Sequence, residues 1–277
     1  THDLGTGAYT AFTQISSEQL GVPFEKVTFQ LGTSDFPFGP VAGGSNSTGT
    51  VGTAIHDVAG LLHRALADIA AKDSRSPLYN QNPDQITMLA PGQLGLKDNR
   101  AKSDTYTDIL QRAGRPSIAV ENPLKEPEEN KNQAFQSWGA HFVEVKIDPL
   151  LPRVQVTRVV TVINCGRVVT YKPARSQIIG GIVMGIGMAL TEETQYDSRT
   201  GLPVIANLAD YHVPTNADVP LIDVDFVGEP DFAFNPIGAR GIGEIGITGI
   251  AAAVANAVFH ATGKRVRDLP ITPDKLI

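Results

Sequence analysis

The sequence predicts an α+β fold of two mixed α/β subdomains, in which helices pack on small, mostly antiparallel sheets. Helical and strand periodicities are mixed along the chain without strict βαβ alternation, which favours small separate sheets over one parallel sheet. Residues 122–134 are the best linker in the chain, because two prolines and a cluster of charges there prevent a packed core. We therefore expect one subdomain at residues 1–121 and a second at residues 135–277.

The first subdomain is predicted to be mainly helical. Residues 7–20 place apolar side chains at near-helical spacing, and Gly21 ends this pattern. Residues 27–31 alternate between apolar and polar side chains, which predicts a strand. A long helix at residues 51–71 has its apolar side chains on one stripe, and residues 106–113 are typical of a short amphipathic helix.

The second subdomain is predicted to combine a hairpin with two helices. Residues 140–147 and 154–163 alternate and predict an antiparallel hairpin. Residues 176–192 predict a helix whose small residues permit close packing, namely Gly180, Gly181, Gly185 and Gly187. A strand at residues 221–227 and an apolar helix at residues 247–261 complete this half.

Composition and charge exclude several function classes. An apolar fraction of 42% can fill a sizeable core, and a net charge of −6 argues against a nucleic-acid partner. The single cysteine, Cys165, excludes a disulfide framework and a cysteine-based zinc or iron–sulfur site within this chain. No apolar run is long enough to span a bilayer. The chain opens without a methionine inside a motif-like stretch, so we expect it to be a piece of a longer polypeptide.

A candidate catalytic acid lies in a glycine-rich stretch near the C-terminus. Residues 235–246 contain four glycines, one arginine and one acid, Glu244. A carboxylate beside a helix start and facing a buried ligand is a candidate general base, whereas the alternative is a turn whose acid favours the following helix. Residues 241–246 also match the dinucleotide fingerprint, but no strand directly precedes them and no return strand follows. A nicotinamide enzyme is therefore the weaker hypothesis.

Three loops combine bare backbone with hydroxyl residues before predicted helices, at residues 5–7, 43–48 and 165–173. N–H groups at helix starts bind anions, so three such loops suit a large phosphorylated ligand held by backbone amides. Arg167, Lys172 and Arg175 lie near the third loop. The alternative is that the loops are ordinary N-caps. Gln177 either offers its amide to the same ligand or faces solvent.

Five segments stand out together along the chain: Gly-Thr-Gly-x-Tyr-Thr from Gly5, Gly-Ser-Asn-Ser-Thr from Gly44 with Gly52 and Ala54, Gln177 with residues 180–187 and Glu192-Glu193, Gly-Ala-Arg-Gly-Ile-Gly-Glu ending at Glu244, and residues 261–270. Together they resemble the molybdenum-binding subunit of the xanthine dehydrogenase and aldehyde oxidoreductase family, in its C-terminal, second molybdopterin-binding region. They follow the family's order over nearly the whole chain, and in particular resemble bacterial aldehyde oxidoreductases that use molybdopterin cytosine dinucleotide.

The resemblance implies a molybdenum hydroxylase that oxidises an aldehyde or N-heterocycle. Glu244, buried beside apolar neighbours, would be the general base on a molybdenum-bound hydroxide, while hydride passes to a sulfido ligand. The metal would be held through its pterin rather than by protein ligands. The implied cofactor contacts are Gly5, Thr6, Gly7, Gly44, Ser45, Asn46, Ser47, Thr48, Arg167, Val168, Val169, Thr170, Tyr171, Lys172, Pro173, Gln177, Arg240, Gly241, Ile242 and Gly243.

The implied partners are an iron–sulfur subunit and a flavin (FAD) subunit, which carry electrons away, together with the first half of the same molybdenum-binding region. The implied location is the cytoplasm, or the periplasm if a partner subunit carries an export signal. Because the first half supplies many cofactor contacts, we expect this piece alone to be inactive. Neither a nucleic acid nor a membrane is an expected partner.

Two residues depart from the family pattern. Thr6 stands where the family often has glutamine, and a threonine is too short for the same reach. Cys165 stands where an acid is frequent, and we interpret it as a packed thiol because no histidine partner is evident. The alternative from a different class is a non-catalytic interaction module that binds an anionic partner through its helix-start loops.

Overall fold

A computed structural model of the protein describes residues 1–37, 39–122 and 132–277. The chain divides into two compact units, one formed by Thr1–Ala134 with Pro230–Ala239 and the other by Phe135–Glu229 with Arg240–Ile277. Most of the predicted linker, residues 123–131, lies outside the described residues.

The first unit contains three helices and a three-stranded antiparallel sheet in the order β1-β2-β3. The helices are α1 (Ala8–Leu20), α2 (Ser47–Lys72) and α3 (Tyr106–Arg112), and the strands are β1 (Ile86–Ala90), β2 (Gln93–Leu96) and β3 (Asn99–Thr105). The helix predictions are confirmed, except that α2 begins before residue 51. α1 ends where Gly21 takes a left-handed conformation, with φ at 62°, which glycine adopts without steric cost.

Apolar side chains from α2, α3 and the sheet form a buried cluster in this unit. Leu66 and Ala70 of α2 are buried with Leu94 of β2 and Ile109 of α3, which is the packing that the apolar stripe of α2 predicts. Pro230–Ala239, which the predicted boundaries place in the second subdomain, belongs to the first unit. The physical reason is that its Ile237 is buried and lies against α2, where a side chain on Gly52 would collide with it.

One strand prediction for this unit is wrong, and one sheet was not predicted. Residues 27–31 belong to no strand within the described ranges; Phe29 instead packs its ring on Phe12 at a centroid distance of 5.1 Å. Conversely, the β1–β3 sheet was not predicted. Its strands are only 4 to 7 residues long, and their one clear indication was the Pro91-Gly92 turn.

The second unit contains a three-stranded sheet in the order β4-β5-β6 and two helices. The strands are β4 (Trp138–Ile147), β5 (Val154–Asn164) and β6 (Leu221–Phe226), and the helices are α4 (Tyr171–Leu190) and α5 (Ile250–Thr262). β4 pairs antiparallel with β5, as the hairpin pattern predicts, and β6 pairs parallel with β5. Short 3₁₀ turns at Phe24–Lys26, Pro83–Gln85 and Pro273–Leu276 complete the described elements. The predicted α+β class with small, mostly antiparallel sheets is therefore confirmed.

One face of this sheet packs against both helices. Val159 and Ile163 of β5 are fully buried, together with Ile178 and Ile182 of α4 and Val254 of α5. The alternation of buried and exposed residues along β5 is what a strand covered on one face requires.

Glycines allow the backbone of α4 to contact the backbone of the segment that precedes α5. A Cβ atom on Gly181 would lie 2.9 Å from the Cα of Gly246, and one on Gly246 would lie 2.6 Å from the carbonyl oxygen of Ile178. The prediction of close packing therefore holds at Gly181. It fails at Gly180, where an added Cβ meets nothing within 4 Å.

We predict opposite effects for alanine at these two neighbouring positions. Gly181→Ala forces the helix off the backbone of Gly246 and lowers the free energy of unfolding by about 1–3 kcal/mol. Gly180→Ala raises it by about 0.5–1 kcal/mol, because alanine is the better helix former and meets open space. Chemical denaturation of both variants measures the difference, and equal stabilities would contradict the packing described.

Cys165 is the single cysteine of the chain and is 2% exposed, within the core of the second unit. Burial raises the pKa of its thiol, and the nearby charge of Arg240 only partly opposes this. Since the thiolate is the reactive form, we predict that a thiol reagent at neutral pH leaves Cys165 unmodified in the native protein and labels it in denaturant. Rapid labelling of the folded protein would show instead a reactive thiol.

Candidate functional site

Glu244 lies in a turn of the second unit, in the segment Gly243–Gly249 (dubbed the acid turn). α5 begins at Ile250, later than predicted, because Gly249 takes a left-handed conformation with φ at 91°. The first turn of α5 consequently contains no acid. The interpretation of Glu244 as an acid that merely favours a helix start is therefore not supported by its position.

Glu244 is exposed, so its predicted burial is wrong within the described chain. The physical reason is that Ile242 and Ile245, on either side of Gly243-Glu244, pack against the core, which leaves the side chain of Glu244 outside. The backbone of the acid turn is nevertheless ordered, because the amide of Ile247 donates to the carbonyl of Glu244 at 3.0 Å. The result is an accessible carboxylate on a fixed backbone.

The predicted cofactor contacts next to Glu244 are held beside the end of β5. The amide of Arg240 donates to the carbonyl of Cys165 at 2.8 Å, and its guanidinium donates to the side-chain oxygen of Asn164. The hydroxyl of Ser137 donates to the carbonyl of Gly241 at 2.6 Å. These bonds bring Arg240, Gly241, Ile242 and Gly243 together with the segment that follows β5.

That following segment contains the second group of predicted contacts in this unit. Arg167, Val168, Val169 and Thr170 precede α4 and are half-buried, whereas Tyr171, Lys172 and Pro173 form its first turn rather than a loop. A proline is tolerated there because its missing N–H has no partner within the helix. Thr170 caps the helix without a side-chain hydrogen bond, and Lys172 is exposed beside it.

Gln177 is half-buried within α4, and Arg175 donates to the carbonyl of Ile222 at 3.3 Å.

In the first unit, the start of α2 has the geometry expected of an amide-lined loop. Gly44 and Ser45 are both left-handed, with φ at 59° and 57°, and this conformation is uncommon for a residue other than glycine. Asn46 caps the helix without a side-chain hydrogen bond, and Ser47 and Thr48 are its first two residues. The amides of this first turn thus receive no side-chain cap from Asn46.

The start of α1 differs, because the chain supplies its own anion. The Asp3 carboxylate accepts hydrogen bonds from the amides of Gly5 at 2.7 Å and Tyr9 at 3.3 Å. Burial opposes the ionisation of Asp3, but backbone hydrogen bonds, including those of Thr6 and Ala8, outweigh it and hold its pKa below the usual value. Gly5 and Thr6 are exposed, and Gly7 caps the helix in a left-handed conformation. The sequence contained an indication of this cap, an aspartate two residues before a glycine.

The donor chemistry of these segments fits a phosphate-bearing cofactor better than a directly bound metal. Among residues 1–37, 39–122 and 132–277, no three His, Cys, Asp or Glu side chains gather as metal ligands. α2 and α4 begin without side-chain caps, and cations accompany the second of them, which suits phosphate groups. The dinucleotide fingerprint at residues 241–246 does not join a strand to a helix, since β6 ends at Phe226 and α5 begins at Ile250.

Within the same described ranges, no helix combines the length and the apolar character that crossing a bilayer requires.

Comparison with known proteins agrees with this chemistry. The family model described as a molybdopterin cofactor-binding domain matches residues 1–220. The chain is 36% identical, over 99% of its length and 35% of the relative's, to the aldehyde oxidoreductase molybdenum-binding subunit PaoC of Escherichia coli K12. It is 31% identical, over 99% of its length and 36% of the relative's, to the xanthine dehydrogenase molybdenum-binding subunit of Escherichia coli O157:H7.

The fold is similar to that of quinoline 2-oxidoreductase from Pseudomonas putida 86, whose crystal structure matches with a TM-score of 0.82 and 26% identity. That match covers 99% of this chain and 35% of the other. The chain thus spans about a third of the length of the curated relatives it matches. Its resemblance to molybdenum-binding subunits is confirmed, and the chain belongs to the molybdopterin cofactor-binding domain family.

Proposed function

We propose that this chain is the C-terminal cofactor-binding part of a molybdenum hydroxylase that oxidises an aldehyde or an N-heterocycle, with water as the source of oxygen. The observation that carries the proposal is the accessible carboxylate of Glu244. It lies on a turn directly after residues 240–243, whose backbone is hydrogen-bonded to Cys165 and Ser137. The relatives, an aldehyde oxidoreductase subunit and a xanthine dehydrogenase subunit, support the same reaction class.

Glu244 is proposed as the general base. When bound, the cofactor supplies Lewis acidity and accepts the electrons that the substrate loses. A carboxylate oxygen of Glu244 accepts a proton from the water that provides the product's new oxygen, which makes that water a better nucleophile. The ordered acid turn contributes by holding this carboxylate in one place, since a general base acts only within hydrogen-bonding reach of its proton.

The cofactor is proposed to be the cytosine dinucleotide form of molybdopterin. The uncapped start of α2, with Gly44 to Thr48, and Gln177 would hold the pterin, and the backbone from Arg240 to Gly243 would lie against it. The start of α4, with Arg167 and Lys172 among its residues, would hold the pyrophosphate, because cations and the amides of a helix start both favour anions.

For the α1 start we propose a smaller contribution from Gly5, Thr6 and Gly7. Asp3 already satisfies several amides there, so a phosphate would have to displace a carboxylate. Iron–sulfur and flavin subunits are the proposed electron acceptors. The cytoplasm is the proposed location, with export through a partner's signal as the alternative.

The general-base proposal predicts the effect of Glu244→Gln in the assembled, molybdenum-loaded enzyme. The amide keeps the size of the side chain but accepts no proton, so kcat is expected to fall by about 10²–10⁴ while the molybdenum content stays unchanged. Glu229→Gln, which removes an equally exposed carboxylate of the second unit, is the matched control and should retain activity. Unchanged turnover of Glu244→Gln would refute the proposed role.

The cofactor proposal predicts what the purified enzyme releases on acid hydrolysis. Cytidine monophosphate should appear in equal amounts with molybdenum, because the dinucleotide form contains one cytosine nucleotide per pterin. Release of molybdenum and pterin without any nucleotide would identify the simple pterin form instead. A pterin-free protein that still forms a specific complex with an anionic partner would favour the alternative of a non-catalytic interaction module.

A further inference from the structure

We infer that His141 is a positioning residue that fixes the acid turn to the central sheet of the second unit. The inference rests on the proposed role of Glu244 and adds the means by which its carboxylate is held. His141 lies on β4, far from Glu244 in the sequence.

One edge of the His141 ring contacts β5. His141 is the register partner of Thr161, and its Nδ1 lies 2.9 Å from the hydroxyl oxygen of Thr161. Thr161 is fully buried, so this hydroxyl has no access to bulk water. A buried hydroxyl without a partner is costly, and the ring therefore has a fixed orientation on this side.

The other edge of the ring faces the acid turn. The backbone at Thr248 and Ile245 interacts with the ring and opposes the lowering of its pKa by burial. A Cβ atom on Gly249 would lie 3.3 Å from Cδ2 of the ring and 3.9 Å from Nε2, which shows how closely the turn passes. These residues bracket the segment that follows Glu244, so the ring ties its backbone directly to the sheet.

The surroundings of the ring act on its pKa in opposite directions. Desolvation of the half-buried ring lowers the pKa of His141, and the backbone at Thr248 and Ile245 raises it by less. A neutral imidazole has one nitrogen that donates and one that accepts, so the ring can serve the Thr161 hydroxyl on one side and the turn on the other.

The acid turn is thus held at two places. The ring of His141 lies against it at Gly249, and Gly246 lies against the backbone of α4 at Ile178. Glu244 itself is exposed, so its position depends on this backbone rather than on contacts that bury its own side chain. Loss of the ring's donor should let the turn shift while the core remains folded, and a small shift of a general base is sufficient to slow a reaction.

The test compares variants of the assembled, molybdenum-loaded enzyme. His141→Phe keeps a ring of similar size and removes both sets of hydrogen bonds. It should lower kcat by about 10–100-fold, with KM changed less, because the carboxylate is displaced from its working position. His141→Gln, whose amide N–H reaches about as far as Nε2, should restore part of kcat. His260→Gln, at an exposed histidine of α5, is the matched control and should behave as the unmodified enzyme.

A readout besides activity is hydrogen–deuterium exchange in the peptide that contains the acid turn. The amides of Ile247 and Ile250 donate within this segment, to Glu244 and Ile247 respectively, and should exchange faster in His141→Phe but not in His260→Gln. If His141→Phe does not assemble, Thr161→Val takes its place. It removes the hydroxyl that holds the ring on β5 and should likewise lower kcat and speed exchange.

Unmodified kcat and exchange in whichever of these two variants assembles would overturn the inference. Glu244→Gln, measured in parallel, separates this failure from that of the proposed function. If kcat is low in Glu244→Gln but unchanged in His141→Phe, only the positioning role is refuted. A fully active Glu244→Gln ends the general-base proposal on which it rests.

Discussion

The contact on which the second unit depends is the approach of two backbones through a pair of glycines. Gly181 on α4 and Gly246 in the acid turn each lie where any side chain would meet the other segment's main chain. The same face of α4 continues to Gly185, where a Cβ atom would lie 2.6 Å from the Cβ of Ile250 at the start of α5. The distance between α4 and the segment that carries Glu244 is therefore set by main-chain atoms rather than by side chains. Such a contact cannot adjust by a change of side-chain rotamer.

The elements with strong periodicity were predictable from the sequence, and those whose limits depend on special backbone positions were not. The stripe on α2 and the alternation of β4 and β5 were sufficient to identify these elements. The first turn of α4 was missed because Pro173 indicates a loop, although a proline fits that turn. The start of α5 was placed too early, because its apolar pattern extends through Ile247 while the left-handed Gly249 interrupts the helix.

For the site, the sequence identified the residue types but not their surroundings. The glycine-rich stretch indicated Glu244, yet its burial was predicted from neighbours that are adjacent in sequence and turn to the core themselves. His141 was not predicted, because its partners Thr161 and Thr248 are brought to it only by strand pairing and by the packing of the acid turn. Side chains that act through tertiary hydrogen bonds leave no periodic pattern in a single sequence.

The carboxylate of Asp3 changes the charge balance at the start of α1. It gives α1 an intramolecular counter-ion, so the positive end of that helix dipole is already balanced before any ligand arrives. α2 and α4 receive no such balance from their capping side chains. The helix starts therefore differ in their electrostatics: an anion at α1 would compete with the Asp3 carboxylate, whereas the capping side chains of α2 and α4 offer no such competition.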